Sequence, residues 1–311
     1  MAIGLVALLG LLLWELSSGG ARAFGKFGIH FITGRNWNPV FGREQFGALP
    51  FIFGTLVTSA IAIVLAVPVA VGLALLLNEA RLGWFSNPLA VLVDLLAAIP
   101  SVVYGLWGLF IMKPVFDHTV EPFLTSTIGK VPLIGGLFRG NPNGGDLFTA
   151  GVILAVMILP IVTAVTREVV AVVPRDLREG ALALGATRYE MIRMAVLPYA
   201  RGGIVGATML GLGRALGETI AVSMVVGNGL GIGSSLFRPG FTIPAVIASE
   251  FREATNVGVH RSALIALALI LVAIALVLAA LSRLLVRRTQ RLVGGRPAIE
   301  PVPTPVAETG A

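Results

Sequence analysis

The sequence predicts an all-α, polytopic membrane protein with six transmembrane helices. Hydrophobic residues make up 56% of the 311 residues and charged residues only 13%, whereas soluble domains carry about 25% charged residues. The mean hydropathy is correspondingly high, at +0.91. The apolar residues also gather in long runs, and about 20 such residues are enough to cross a bilayer as a helix.

Six apolar segments account for the predicted spans. They are separated by loops at 17–49, 78–87, 113–146 and 227–261, and by a polar helical stretch at 174–198. The predicted spans are Ala2 to Leu16, Pro50 to Leu77, Pro88 to Met112, Leu147 to Val165, Tyr199 to Val226, and Ser262 to Leu285.

Individual residues shape several of these spans. Ala2 to Leu16 is short, and because it lacks a charged leader and a clear cleavage site it is interpreted as a span whose true N-terminus is open. Pro68 is tolerated inside the second span, and a break is expected in the third at Pro100-Ser101. Asp146 is a predicted N-cap for the fourth span. The tail from Val286 is basic and then proline-rich, which is typical of a disordered segment.

Several kinds of chemistry are excluded by what the sequence lacks. There is no cysteine, so disulfides and thiolate metal sites are absent. The histidines are far apart, without metal-ligand spacing: His30, His118 and His260. No phosphate-binding loop or nucleophile-elbow pattern occurs. We therefore expect no metal, no cofactor and no catalytic residue, and we attribute much of the +7 net charge to arginines beside lipid headgroups.

The stretch from Pro174 to Pro198 is predicted to form two short helices at the membrane surface. Pro174 suits a first helical position, and Gly185 suits a left-handed helix C-cap. Thr187 and Glu190 spell a capping box for the second helix, and Pro198 is expected to mark the next change of direction. The apolar side of this hairpin either enters a partner's groove or lies on lipid as a connector.

Two charges fall inside the fifth span, at Arg214 and Glu218. Four residues apart on a helix, they would share one face. Charged residues inside a membrane are costly and are functional candidates by default. Either they neutralise each other as an ion pair, or Arg214 recognises an anion through its planar guanidinium while Glu218 orients it. Gly213 and Gly217 would let another helix approach closely.

Two further features can be explained without a direct role in function. Asp94, in the third span, is expected near the cytoplasmic interface, where a carboxylate costs little. The alternating glycines from Gly227 either present backbone N–H groups to an anion or form a flexible loop.

The polar stretch resembles the EAA loop of ABC importer permeases. The matching residues stand at the spacing of that motif, with departures at Gly180 (alanine in the family) and Ala195 (isoleucine): Glu179, Gly180, Ala181, Gly185, Leu197 and Pro198. The resemblance implies a type I ABC importer permease (MetI-like) fold. It further implies that this loop couples the chain to a groove on a cytoplasmic ATPase, which also places the N- and C-termini in the cytoplasm. The positive-inside rule alone favours this topology only weakly, because the basic residues are nearly balanced between the two sides.

Four more runs resemble the PstC family of bacterial phosphate permeases. They begin at Asn36, Phe46, Ala97 and Arg214 and read NWNP, FGALPFIFGT, AAIPSVVYGLWG and RALGET. This resemblance implies a phosphate importer of the cytoplasmic (inner) membrane. Its other members would be a second permease subunit, PstA, two copies of the ATPase subunit PstB and the periplasmic phosphate-binding protein PstS. It also implies that Arg214 and Glu218 serve phosphate passage, and that ATP hydrolysis resides in the partner.

The expected organisation has three parts. Residues 1–49 hold the first span and a periplasmic loop, 50–285 form the permease domain with its coupling loop at 174–198, and 286–311 form a cytoplasmic tail. Three alternatives stay open: a permease for another oxyanion such as sulfate or molybdate, a proton-coupled secondary transporter that uses Glu218 as a relay, and a membrane scaffold without transport activity.

Overall fold

Helices account for most of the computed structural model, which describes residues 2–40, 42–79, 83–132, 134–140, 143–254 and 259–293. The α-helices are α1 Ala2–Phe27, α2 His30–Thr33, α3 Leu49–Glu79, α4 Ser86–Ala98, α5 Ser101–Trp107, α6 Lys113–Val115, α7 Glu121–Ser126, α8 Leu147–Ala171, α9 Arg175–Ala183, α10 Arg188–Met191, α11 Leu197–Gly217, α12 Ile220–Val225, α13 Ile243–Glu250 and α14 His260–Val293. Two short antiparallel strands, β1 (Trp37–Asn38) and β2 (Gln45–Phe46), pair Trp37 with Phe46.

Within the described residues, four helices are long and apolar enough to cross a membrane: Leu49–Glu79, Leu147–Ala171, Arg188–Gly217 and His260–Leu284. A fifth span exists if Asn87–Ala98 and Ser101–Lys130, which meet at 93°, are counted together. The first predicted span corresponds to α1, which continues past Leu16 to Phe27. It is not among these five, so the sixth span stays a prediction.

The third span breaks at the predicted place but ends later than predicted. Pro100 has an extended backbone and precedes α5, as expected for the Pro100-Ser101 break. The prediction of a loop from 113 is wrong, because helical turns continue to Lys130 through π turns at Gly108–Met112 and Phe116–Val120. Prolines stand in the first turns of α6 and α7, where their missing N–H groups cost little.

The fifth span is also interrupted, contrary to the prediction of one helix from Tyr199 to Val226. α11 ends at Gly217, and Glu218 adopts an extended backbone with φ −70° and ψ 126°. The side chain of Glu218 accepts a hydrogen bond from the N–H of Ala221 at 3.2 Å. This local bond competes with continuation of the helix, and α12 starts afresh at Ile220.

The largest core lies where α8 packs between its neighbours. α8 runs along α3, and it also contacts α11, α4 and α12. Buried residues from α3, α5, α8, α11 and α12 form one cluster, which includes Ala66, Tyr104, Leu154, Ile158 and Val222. The N-cap prediction is confirmed, since the Asp146 carboxylate accepts the N–H of Thr149 at 2.9 Å.

A second core joins the two ends of the chain. α1 packs along α14, and the Ser262 hydroxyl links them by donating to the carbonyl of Gly19 at 2.7 Å. Phe31, Phe51 and Leu264 are buried in the same cluster. α14 continues to Val293, past the predicted tail start at Val286, and residues 294–311 lie outside the described part of the chain.

Candidate functional site

The two predicted surface helices form, with the predicted stop signal between them. α9 follows Pro174, and none of its residues is fully buried. Gly185 has φ +86°, a left-handed conformation that favours glycine. Its N–H donates to the carbonyl of Leu182 at 3.0 Å, and the N–H of Ala186 donates to that of Ala181 at 3.2 Å. These two bonds make a Schellman motif, which fixes the turn.

The capping box of the second helix is confirmed. The Thr187 hydroxyl accepts the N–H of Glu190 at 3.3 Å, and the Glu190 carboxylate accepts the N–H of Thr187 at 2.7 Å. The predicted change of direction at Pro198 is wrong. The helix that starts at Arg188 continues to Gly217, because the π turn Ile192–Val196 widens the register before the proline and Pro198 then stands in the first turn of α11.

The EAA-type residues are divided between exposed and half-buried positions of this hairpin. Glu179, Gly180 and Gly185 are exposed, whereas Ala181, Leu197 and Pro198 are half-buried. At the tip, Leu184 exposes 91% of its surface to solvent. A leucine exposed at a capped turn suits contact either with a partner or with lipid, the two alternatives that the sequence leaves open.

Arg178 ties the hairpin to the membrane helices, and sequence reasoning missed it. Its Nε and Nη2 donate to Glu79 Oε1, at the end of α3, at 3.0 Å and 2.8 Å. The guanidinium also donates to the carbonyls of Val170 and Val173, in and after the last turn of α8. Helix ends leave such carbonyls without partners. The Arg178 side chain is only 18% exposed and the Glu79 side chain 9%, so this is a largely buried tie.

Arg188 adds a second contact to the same helix end. Its Nη1 donates to the main-chain carbonyl of Glu79 at 3.2 Å. The hairpin also shares a small apolar core with α8 and α11, formed by Val170, Met191 and Ala200 among others. The hairpin is therefore bound to the ends of α3 and α8. No local sequence signal reveals this, because Arg178 and Glu79 stand 99 residues apart.

Arg214 and Glu218 do not share a helix face, which corrects the prediction. Gly217 ends α11 between them, and Glu218 turns instead to the N–H of Ala221. Among the described residues, no carboxylate lies within 4.0 Å of the Arg214 guanidinium, and the side chain is exposed. The Tyr104 hydroxyl donates to the carbonyl of Leu96 at 2.8 Å, across the Pro100 break.

The surface beside Arg214 is open for another helix. A side chain added at Gly213 or Gly217 would meet nothing within 4 Å in this chain. On the opposite side, a side chain at Gly211 would clash with Val162 at 2.7 Å, so α11 uses one glycine face for α8. Arg214 therefore sits at the edge of an unoccupied close-approach surface.

The remaining candidates have structural roles. Asp94 forms an ion pair with Arg167 at 3.5 Å, which explains this carboxylate without a direct role in function. The N–H of Gly229, in the glycine-rich loop, already donates to the carbonyl of Gly240 at 3.0 Å, which removes one of the expected anion donors. Within the residues that the structure describes, no group of three or more possible metal ligands is found.

Comparisons with known proteins agree with this arrangement. Residues 66–291 match the family described as "Binding-protein-dependent transport system inner membrane component". The "Phosphate transport system permease protein PstC" of Pasteurella multocida is 44% identical over 293 residues, covering 94% of this chain and 90% of the relative. The protein of the same name from Mesorhizobium japonicum is 45% identical over 293 residues, covering 94% and 89%.

Solved structures show the same fold. A chain of the MetNI methionine ABC transporter, in an inward-facing conformation, superposes with a TM-score of 0.55 at 18% identity, covering 77% of this chain and 96% of that one. A chain of a bacterial alginate ABC transporter gives 0.56 at 20% identity, covering 96% and 95%. The predicted fold class, that of an ABC importer permease, is confirmed. The chain belongs to the family of binding-protein-dependent transport system inner membrane components.

Proposed function

We propose that this chain is the permease subunit of an ATP-driven importer that carries inorganic phosphate across the cytoplasmic membrane. The single observation that carries the proposal is the high identity to phosphate transport permeases over almost the whole chain. The geometry supports it at two places, one suited to a partner and one suited to an anion. The chain itself hydrolyses nothing in this scheme, and its relatives are named as permeases.

The coupling hairpin is the proposed docking element for the ATPase. Leu184 at the exposed tip would enter the partner's groove, while Glu179, Gly180, Ala181 and Gly185 shape the helix that presents it. Leu197 and Pro198 belong to the helix that returns into the membrane. Arg178 passes the movement on, because it joins α9 to α3 and α8.

Arg214 is the proposed phosphate contact. An unpaired guanidinium keeps its charge and offers a planar set of donors that fits phosphate oxygens. Glu218, which shapes the break after Gly217, places Arg214 at the end of a helix. Glu218 acts by stabilising this helix end, since it accepts the N–H of Ala221.

The proposed assembly has one further permease, PstA, two copies of the ATPase PstB, and the periplasmic binding protein PstS. The second permease would cover the glycine surface around Gly213 and Gly217. PstS would dock on the loops at 17–49, 113–146 and 227–261, with both termini of this chain in the cytoplasm.

The deciding experiment is phosphate uptake into reconstituted vesicles that contain the whole assembly. We expect uptake only when ATP and the binding protein are both present, and we expect sulfate and molybdate not to compete at equal concentration. Uptake without ATP, driven by a proton gradient, would reject the importer. Competition by sulfate would assign the permease to another oxyanion.

A further inference from the structure

A cavity of about 570 Å³ opens at the outer end of α8, between the loops at 135–140 and 234–239. α8 starts beside this cavity at Leu147 and ends beside the coupling hairpin at Ala171. Its 25 residues span about 38 Å, so the cavity lies on the face away from the proposed ATPase. The residues lining it include Arg139, Asn143, Ser234, Ser235 and Arg238.

The cavity walls are held together by the main chain. The N–H of Leu236 donates to the carbonyl of Leu137 at 2.8 Å, which joins the two loops. The first N–H groups of α8, at Leu147 and Phe148, donate to the carbonyls of Arg238 and Leu236, each at 3.2 Å. These bonds satisfy donors that a helix start otherwise leaves free. They also hold the main chain at Arg238 in place.

Aromatic packing supports the cavity walls. The Phe237 ring packs edge-on against Phe148 and Phe138, at centroid distances of 5.6 Å and 5.9 Å. Phe237 is fully buried. The two arginines therefore extend from a fixed base and do not depend on a freely moving loop.

Both arginines keep donors for a ligand. Arg139 uses its Nε to bind the carbonyl of Gly129 at 2.5 Å, and this bond leaves its two Nη groups. Over the described part of the chain, neither Arg139 nor Arg238 has a carboxylate within 4.0 Å. Arg238 reaches back over the glycine-rich loop, so that a side chain at Gly233 would collide with its guanidinium.

Two buried acids, Glu121 and Asp146, accept hydrogen bonds from the main chain of this region. The Glu121 carboxylate accepts the N–H groups of Asn143 and Gly144 at 3.1 Å and 3.4 Å. Burial, together with the neighbouring Glu121, raises the pKa of Asp146 to about 8. Asp146 therefore ionises less readily than an exposed aspartate does.

The loop that lines the cavity is hydrogen-bonded to the residue that follows α12, and α12 leads to the proposed pathway. The N–H of Gly240, at the end of the cavity loop, donates to the carbonyl of Val226 at 2.9 Å. Val226 directly follows α12, whose six residues span about 9 Å. At the other end of α12 lies the break after Gly217, next to Arg214.

We infer that this outer cavity binds a small tetrahedral oxyanion between Arg139 and Arg238, at a station outside the membrane that precedes Arg214. The identity of the anion as inorganic phosphate rests on the proposed function. The cavity would hold phosphate after its release by the binding protein and raise its local concentration at the pathway entrance.

The absence of native cysteine allows a direct test by thiol labelling. Ser234→Cys places a thiol at the exposed cavity rim, and Ser126→Cys is the matched control on an exposed outer segment away from the cavity lining. The complex is held in phosphatidylcholine nanodiscs without ATP or binding protein. Labelling of this chain is timed with an anionic sulfonate thiosulfonate and a cationic trimethylammonium thiosulfonate.

We expect the anionic reagent to label Ser234→Cys about 10-fold faster, relative to the cationic one, than it labels the control. Millimolar inorganic phosphate should slow this labelling. Adding Arg238→Gln should abolish the charge preference and the protection, whereas Arg238→Lys should keep the preference. Equal rates at both positions, or protection by neither phosphate nor sulfate, would overturn the site.

Two further outcomes separate the source of the anion from the site itself. Protection by sulfate and not by phosphate would support the oxyanion site and count against phosphate as the substrate. Protection only when phosphatidylglycerol replaces phosphatidylcholine would assign the arginines to lipid headgroups and overturn the proposal. Neither readout needs transport, so failure of ATP-driven uptake leaves this test interpretable.

Discussion

Arg178 and Arg214 belong to the same chain but have opposite surroundings. The Arg178 guanidinium meets a carboxylate and two main-chain carbonyls and is largely buried. The Arg214 guanidinium, in the described structure, meets no carboxylate within 4.0 Å and is exposed. A satisfied guanidinium acts as a mechanical tie, whereas an unpaired one keeps its donors for a ligand.

The same contrast separates the two ends of the molecule. At the end that carries the hairpin, the helix caps and Arg178 hold α9 against α3 and α8. Further out, the break after Gly217 and the cavity arginines leave cationic groups open. Transport by alternating access requires both kinds of site, one that moves as a unit and one that meets the substrate.

Removing the tie should have the largest effect. Arg178→Ala leaves Glu79 buried without its partner, and breaking a buried ion pair costs about 3–5 kcal/mol. We expect a lower melting temperature in detergent and loss of ATP-driven uptake. The exposed Arg175, in the same helix, gives the matched control, since Arg175→Ala should change neither. Normal uptake in Arg178→Ala would show that α9 is held by other contacts.

Changing the open arginine should weaken transport without affecting folding. Arg214→Lys keeps the charge and loses the planar fork. Hydrogen bonds to charged groups contribute about 1.5–3 kcal/mol, so phosphate uptake should fall about 10- to 100-fold at unchanged melting temperature. Arg175→Lys serves as the control. Uptake equal to wild type would leave Arg214 without a role in recognition.

The glycine at the hairpin turn should affect coupling more than stability. Gly185→Ala forces a side chain into a left-handed conformation at a cost of about 1–2 kcal/mol. Gly185→Pro also loses the bond to Leu182 and cannot adopt φ +86°. We expect Gly185→Pro to insert normally but to uncouple ATP hydrolysis from uptake, measured side by side. Preserved coupling would argue against transmission through this turn.

The stability of the folded protein should depend on pH through Asp146, the N-cap of α8. The pKa of Asp146 in the folded protein, about 8, stands above its ordinary 3.8. The folded state therefore favours the protonated acid, and stability should fall as pH rises from about 4 to about 8, with a slope of at most about 1.4 kcal/mol per pH unit. Asp146→Asn keeps a good N-cap and should flatten this slope in thermal unfolding. Parallel slopes for the two proteins would contradict the assignment.

Local signals predicted much of the fold. The Gly185 turn, the Thr187 capping box and the Asp146 cap were all readable, because each depends on hydrogen bonds within five residues. The change of direction predicted at Pro198 does not occur. A π turn precedes this proline, which stands in the first turn of α11, where its missing N–H group costs little. The break after Gly217 was missed because a run of apolar residues on both sides reads as one helix.

By itself the sequence determined the membrane class, the main spans, the two helices of the hairpin and the family resemblance, since these depend on composition and short-range spacing. The separation of Arg214 from Glu218 is local, since α11 ends at Gly217 and Glu218 accepts a hydrogen bond from the N–H of Ala221. Only the tertiary structure decided that Arg178 is bound to Glu79 and that Arg139 and Arg238 line one cavity. The physical reason is that each of these outcomes depends on which helix ends and loops meet in space. Spacing along the chain does not encode that meeting.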